Sequence, residues 1–281
     1  MRYEPIFVMG AGRAGVGLAR AFRAAGVEVA GVHGRHEAGG PDGVSVGALP
    51  ASLARSIVIL ITVRDSQLDE ALRELLAAKL APGAVVLHAS GSAEPGMLEE
   101  VRRAGHPAGT FHPLVPLADP SRAAEALAGA YIGMDGDSEA KEVSRALAGR
   151  LGARTMEIPA GEKARYHAAA VIVSNFPAVL LRLGERVLRE AGISRGEAAG
   201  AARALLRVAA GNIESGDAAR VLTGPIVRGD AVTVRSHVRA LASDPEALAV
   251  YRALSVAALE LARESGTASS QLDEVRAALG C

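Results

Sequence analysis

Short apolar runs alternate with amphipathic stretches along the first 158 residues, and this alternation restricts the chain more than any other feature. PIFVM (5–9), VEVAGV (27–32), SIVILITV (56–63), AVVLH (84–88), AGTFH (108–112) and ARTMEI (153–158) read as strands. Between them, residues 13–26, 66–83, 94–105 and 137–152 have helical spacing. SIVILITV is nearly continuous in apolar residues, as expected of a strand covered on both faces. The pattern predicts an α/β domain with a mainly parallel sheet and helices on both faces. After Pro159 the strands cease. Residues 162–192, 196–216, 233–243, 244–266 and 269–280 all read as helix, with a kink expected at Pro177 and a capping box from Ser270 to Asp273. The expected architecture is a mainly parallel sheet domain with helices on both faces over 1–158 and an all-α domain over 159–281.

Between the first strand and the first helix lies GAGRAG, residues 10–15. In that context Gly10 permits the tight turn, Gly12 lets backbone approach a pyrophosphate, and Gly15 lets the helix pack on the sheet. The N–H groups at the helix start, at Arg13 and Ala14, are expected to hold phosphate. NAD binders place an acidic residue about 20 residues further on, at the next strand end. This chain offers His33, Arg35 and His36 there before Glu37. An arginine at that corner suits a 2′-phosphate, so NADP is expected over NAD, with Val63 beside it; a strand ending two residues later would present Glu37 and suit NAD instead.

Ligands of open α/β sheets sit beyond the carboxyl ends of the strands. Three such ends carry chemistry: ITVRD (61–65), with Asp65 a candidate helix cap; HASGS (88–92); and FHPLVP (111–116), with His112 beside Pro113. Ser90, Gly91 and Ser92 are expected to hold a substrate carboxylate, with His112 nearby.

Of 31 basic residues only Lys79, Lys141 and Lys163 are lysine. Arginine keeps its proton, whereas a desolvated lysine can release one. Lys163 stands in KARYHAAAVIVSNFP (163–177), and on a helix Lys163, His167 and Ser174 fall within about 40° of one another. Such a stripe on an Ala/Val/Ile helix points to a site with Lys163 or His167 as proton donor and Ser174 and Asn175 orienting substrate. In LTGPIVRGD, Arg228 is a further substrate contact or a local partner of Asp230. A metal site built from His88, His112, His167 and His237 is the weaker alternative, since no HxxH or HxxxH pair supports it.

The formal net charge is +0, which argues against a nucleic-acid partner. The one cysteine, Cys281, fits a reducing cytoplasm. No run of 18 apolar residues occurs, so no membrane span is expected.

GAGRAG followed by a helical second half resembles the superfamily of 3-hydroxyisobutyrate dehydrogenases, 6-phosphogluconate dehydrogenases and ketopantoate reductases. KARYHAAAVIVSNF, LTGPIVRGDAVTVRSH (222–237) and the HASGS and FHP turns resemble, more closely, a Rossmann family whose C-terminal part is a domain of unknown function. The resemblance implies NADP binding and a homodimer formed through the helices. It also implies that Lys163 matches the proton-donating lysine of better-known relatives. Their asparagine one turn later is here His167, and asparagine appears only at Asn175. The expected activity is hydride transfer between NADP and a carbonyl or imine carbon of a small carboxylate-bearing substrate. The alternative is a non-catalytic NADP-binding module acting through a protein partner.

Overall fold

The computed structural model describes residues 3–35 and 43–280, apart from the side chain of Ser215. His36 and Glu37 lie outside the described residues. By its contacts the chain divides into two units, Met1–Asn175 and Phe176–Cys281.

The first unit is an eight-stranded sheet in the order β3-β2-β1-β4-β5-β6-β7-β8. Its strands are β1 (Ile6–Met9), β2 (Val29–His33), β3 (Val44–Ser45), β4 (Val58–Ile61), β5 (Val85–His88), β6 (Ala108–Pro113), β7 (Tyr131–Gly136) and β8 (Arg154–Glu157). All neighbours run parallel except β6 and β7. The helices are α1 (Arg13–Ala24), α2 (Leu68–Ala77), α3 (Glu99–Arg103), α4 (Ala123–Leu127), α5 (Ser138–Arg150) and α6 (Lys163–Ser174). Alternate residues of each central strand enter opposite cores. Ile6, Val8, Val58 and Leu60 pack with Leu18 and Phe22 of α1 and Leu147 of α5. Phe7, Met9, Ile59 and Ile61 pack with Leu68, Leu72 and Leu75 of α2. The α/β class with helices on both faces is therefore observed.

Three expectations are corrected. Strand β7 was not apparent in the sequence, because YIGMDG carries two glycines and no β-branched run. The capping box is not formed: α12 (Ser269–Leu279) has Ala268 at its N-cap and no side-chain cap bond. Asp65 caps no helix; it is the first residue of a 3-10 turn, and its carboxylate is used elsewhere.

The long apolar helix is interrupted at Asn175, between α6 and α7 (Phe176–Glu190). Pro177 has no N–H to return to the Val173 carbonyl, so the break falls where the sequence places it. Together Lys163–Glu190 is, among the described residues, the one stretch long and apolar enough to cross a membrane by length and composition, with hydropathy 1.4. Its first residue, however, is buried in the sheet domain. That contact also explains why the units divide one helix later than residue 158.

The second unit contains α7, α8 (Arg195–Ser215), α9 (Ala218–Val221), α10 (Ala231–Ala240), α11 (Pro245–Glu264) and α12. Its core joins Val234 of α10, Leu259 of α11 and Leu272, Val275 and Leu279 of α12. Asp230 and Asp244 cap α10 and α11 by accepting the N–H groups of Thr233 and Ala247.

Candidate active site

The glycine turn behaves as its spacing demands. Gly10 has φ +124°, and a Cβ there would lie 2.7 Å from the Thr62 carbonyl carbon. A Cβ on Gly15 would lie 1.8 Å from the Gly10 carbonyl oxygen, so only glycine lets α1 sit this close to the turn. Nothing lies within 4 Å of a Cβ on Gly12, the N-cap of α1. That N-cap has no side-chain bond, and the first turn has no acidic residue. The N–H groups of the helix start are left for an anion.

Beside this turn lies a cleft of about 550 Å³, lined in part by Gly10, Gly12, His33, Arg35, Val63 and Arg64. Arg13, Ala14 and Gly15 do not line it. Arg35 pairs with Glu70, both about half exposed. His33 is held by its Nδ1 contact with Ser45 Oγ at 3.0 Å. Arg64, unremarked in the sequence, stands on the same wall because β4 ends beside β1.

One residue beyond Arg64 begins a polar cluster at the carboxyl ends of β4, β5 and β6. Ser92 Oγ donates to Asp65 Oδ2 at 2.5 Å. Burial works against the Asp65 carboxylate, but the Ser92 and Ser90 hydroxyls hold it below its usual range. Ser90 Oγ accepts the N–H groups of Ser92 (3.2 Å) and Ala93 (3.0 Å), and Ser90 N–H donates to His88 Nδ1 at 3.2 Å. The hydroxyls of Ser90 and Ser92, expected with Gly91 to hold a substrate carboxylate, are engaged within the turn and by Asp65.

Lys163 is also corrected. Only 1% of it is exposed. Its Nζ donates to the Ala93 carbonyl (2.5 Å) and Thr110 Oγ1 (2.6 Å) and lies 3.0 Å from Asp135 Oδ2. Three acceptors saturate an ammonium. Burial lowers its pKa and the Asp135 charge opposes that. Thr110 donates to Asp135 Oδ1 at 2.7 Å, and His88 Nε2 lies 3.3 Å from Thr110 Oγ1. Since His88 Nδ1 accepts from Ser90, its proton sits on Nε2 and points at Thr110. Burial, then the Lys163 charge, lowers the His88 pKa to about 4, so this ring is neutral near pH 7. The network ties β5, β6 and β7 to α6.

The next layer of α6 carries Tyr166 and His167. Tyr166 Oη lies 2.8 Å from His112 Nδ1, and the two rings meet edge to face. Burial, then the His167 and Lys163 charges, lowers the His112 pKa to about 4, and burial raises that of Tyr166 to about 12. His112 and His167 have ring centroids 6.0 Å apart. His167 Nδ1 is buried without a hydrogen-bond partner. A Cβ on Gly91 would meet His167 Nδ1 at 2.7 Å and His112 Nε2 at 2.8 Å. Gly91, His112 and His167 are thus brought together as the sequence suggested, with Tyr166 and Asp65 added.

Ser174 and Asn175 are not joined to this cluster. Ser174 is exposed, and its hydroxyl donates to the Ala170 carbonyl and to Asn175 Oδ1, both at 2.8 Å. The polar stripe ends after one turn because the two residues close the helix on themselves. Arg228 is exposed in the second unit. Asp230, its suggested partner, accepts from the Thr233 hydroxyl at 2.6 Å, and the Arg228 charge also helps hold its carboxyl below the usual range. His237 Nδ1 lies 3.0 Å from Tyr251 Oη. Among the described residues no group of three His, Cys, Asp or Glu is placed to hold a metal ion.

Tyr166 and Asp135 were missed. Tyr166 stood in plain view between Lys163 and His167 but carries no signal alone. Its seat is Gly133, where a Cβ would lie 2.2 Å from Tyr166 Oη.

A domain family of unknown function, DUF2520, matches residues 130–258. No curated protein matches the chain. Among solved structures, a candidate NADP oxidoreductase from Bacteroides fragilis is similar at 22% identity and TM-score 0.73, over 91% of this chain and 98% of that one. Protein TM1727 of Thermotoga maritima is similar at 20% identity and TM-score 0.73, over 92% and 100%. An imine reductase from Myxococcus stipitatus, in complex with NADP+, is similar at 18% identity and TM-score 0.61, over 99% and 100%. At these identities the shared property is the fold.

Proposed function

We propose that the protein is an NADP-dependent oxidoreductase acting on a carbonyl or imine carbon of a small substrate. The observation that carries the reading is the uncapped start of α1, whose N-cap Gly12 borders a cleft also lined by Arg35, Arg64 and Glu74, continuous through Thr62–Asp65 with a cluster of two imidazoles. The N–H groups after Gly12 would hold the pyrophosphate, and Arg35, with Arg64 and His33 on the same wall, the 2′-phosphate. Arg35 would exchange Glu70 for that phosphate; an exposed pair of this kind contributes at most about 1 kcal/mol. Reduced nicotinamide, when bound, supplies hydride. The NADP named in the solved structures of the Bacteroides and Myxococcus proteins supports this cofactor.

The substrate class proposed is a small 2-oxo or 3-hydroxy acid, or the corresponding imine. We also propose a homodimer. Ile172 and Val173 of α6, Phe176 and Val179 of α7, and Leu205 and Val208 of α8 are exposed apolar residues that a second copy would cover.

The test is a fluorescence titration with NADPH and NADH, followed by a panel of 2-oxo acids and cyclic imines assayed for NADPH oxidation. NADPH is expected to bind about tenfold or more tightly than NADH, and Arg35→Ala to abolish the difference. Absence of NADPH binding overturns the reading. Tight binding with no turnover across the panel would instead mark a non-catalytic NADP-binding module.

A further inference from the structure

The cleft beside the glycine turn is lined by groups of both signs. His33 and Arg35 come from the end of β2, and Arg64 from the end of β4. Helix α2 adds Ala71 and Glu74, with Gln67 at its N-cap, on one face at helical spacing. Glu70, one turn before Glu74, pairs with Arg35. The guanidinium that suits a 2′-phosphate therefore already holds an anion, and a different element carries it.

The helix dipole accounts for part of this. Asp69 and Glu70 stand in the first turn of α2, where carboxylates are favoured. Glu74 lies beyond that turn and makes no ion pair among the described residues. Two carboxylates four residues apart on a helix repel one another, and Arg35 offsets one of them. The side chains of Arg35 and Glu70 are 52% and 61% exposed, so a second anion can reach the guanidinium without unpacking the fold.

The two nicotinamide nucleotides meet this arrangement differently. A phosphate monoester carries about −1.5 to −2 charge near pH 7. To bind Arg35, a 2′-phosphate has to displace the Glu70 carboxylate. It then stays near Glu70 and Glu74, because Leu68, Leu72 and Leu75 fix α2 in the core. A ribose 2′-hydroxyl displaces nothing, and it can donate to a carboxylate as it does to the acidic residue of NAD binders.

We propose that Glu70 is a specificity-determining residue of the nucleotide site: it competes with the 2′-phosphate for Arg35 and so narrows the preference for NADP over NAD, with Glu74 adding to the repulsion. The proposal rests on the NADP-dependent reading above and concerns how strongly the site prefers that cofactor.

The test is fluorescence titration of NADPH and NADH into the wild-type protein, Glu70→Gln, Glu70→Lys and Glu74→Gln at low salt. Glu70→Gln is expected to tighten NADPH binding about three- to tenfold while NADH binding is unchanged or weaker. Glu70→Lys should tighten NADPH further, and Glu74→Gln should act in the same direction by less. The gains should shrink at about 1 M salt, where exposed charges are screened. Most of the Glu70→Gln gain should disappear in an Arg35→Ala background, because the competition runs through Arg35. NADPH affinity unchanged or weakened in Glu70→Gln, or NADPH and NADH tightened equally, overturns the proposal and leaves the NADP reading standing. No NADPH binding by the wild type or by any of the variants overturns that reading, and this inference with it.

Discussion

Lys163 stands out in the sequence as a lone lysine on an apolar helix of an arginine-rich chain, and the fold buries it. Its amine is spent on Ala93, Thr110 and Asp135, and Asp135 is itself only 9% exposed. Removing one partner of such a pair strands a buried charge. Lys163→Met is therefore expected to cost about 3–5 kcal/mol in urea unfolding, and the double change with Asp135→Asn less than the sum of the single changes. A loss under about 1 kcal/mol would mean that the amine is hydrated. His88 makes a second residue-scale prediction. Its pKa is lowered to about 4 from 6.5, as is that of His112, so between those pH values the unfolded chain binds more protons than the folded one. Stability is then full above pH 6.5 and declines as pH falls towards 4, with His88 contributing on the order of 3 kcal/mol. The lowered Asp65 carboxylate acts below this window, its contribution being lost only as pH falls under 3.8. Urea unfolding at several pH values should show the decline, and His88→Gln should flatten it; an unchanged slope would refute the assignment.

At the scale of elements, the site depends on how α6 docks on β7. Strand β7 runs antiparallel to β6, and Gly133 is paired with His112. That pairing places a glycine under Tyr166 and lets its hydroxyl reach His112. Gly133→Ala would drive a Cβ into Tyr166 Oη. We expect a loss of about 1–3 kcal/mol, recovered in large part by Gly133→Ala combined with Tyr166→Phe or Tyr166→Leu. Equal losses in single and double variants would place the strain elsewhere. The strands with continuous apolar runs, β1, β4 and β5, were legible because burial on both faces leaves a local signature. Strand β7 was not, because its glycines answer to a distant helix and remove the residues that advertise a strand.

For the whole molecule, the exposed apolar residues of α6, α7 and α8 call for a covering surface. Val173 is 76% exposed and Leu205 69%. Sedimentation analysis is expected to give a dimer, and Val173→Glu with Leu205→Glu to shift it toward monomer while NADPH affinity is retained. A wild-type monomer at micromolar concentration would contradict the homodimer.

What the sequence by itself determined is whatever depends on near neighbours along the chain: the α/β pattern, the glycine turn, the helical second half, the break at Pro177 and the polar groups set on an apolar helix at residues 163–167. Backbone conformation and hydrophobic periodicity are local, so each can be read in a short window. Which of those polar groups is saturated and which is left free was decided only by the tertiary structure. Sheet register sets Asp135, Thr110 and Ala93 around Lys163, and Gly91 beneath His112 and His167. Hydrogen-bond satisfaction is a property of residues far apart in the chain, and no window of sequence contains both partners.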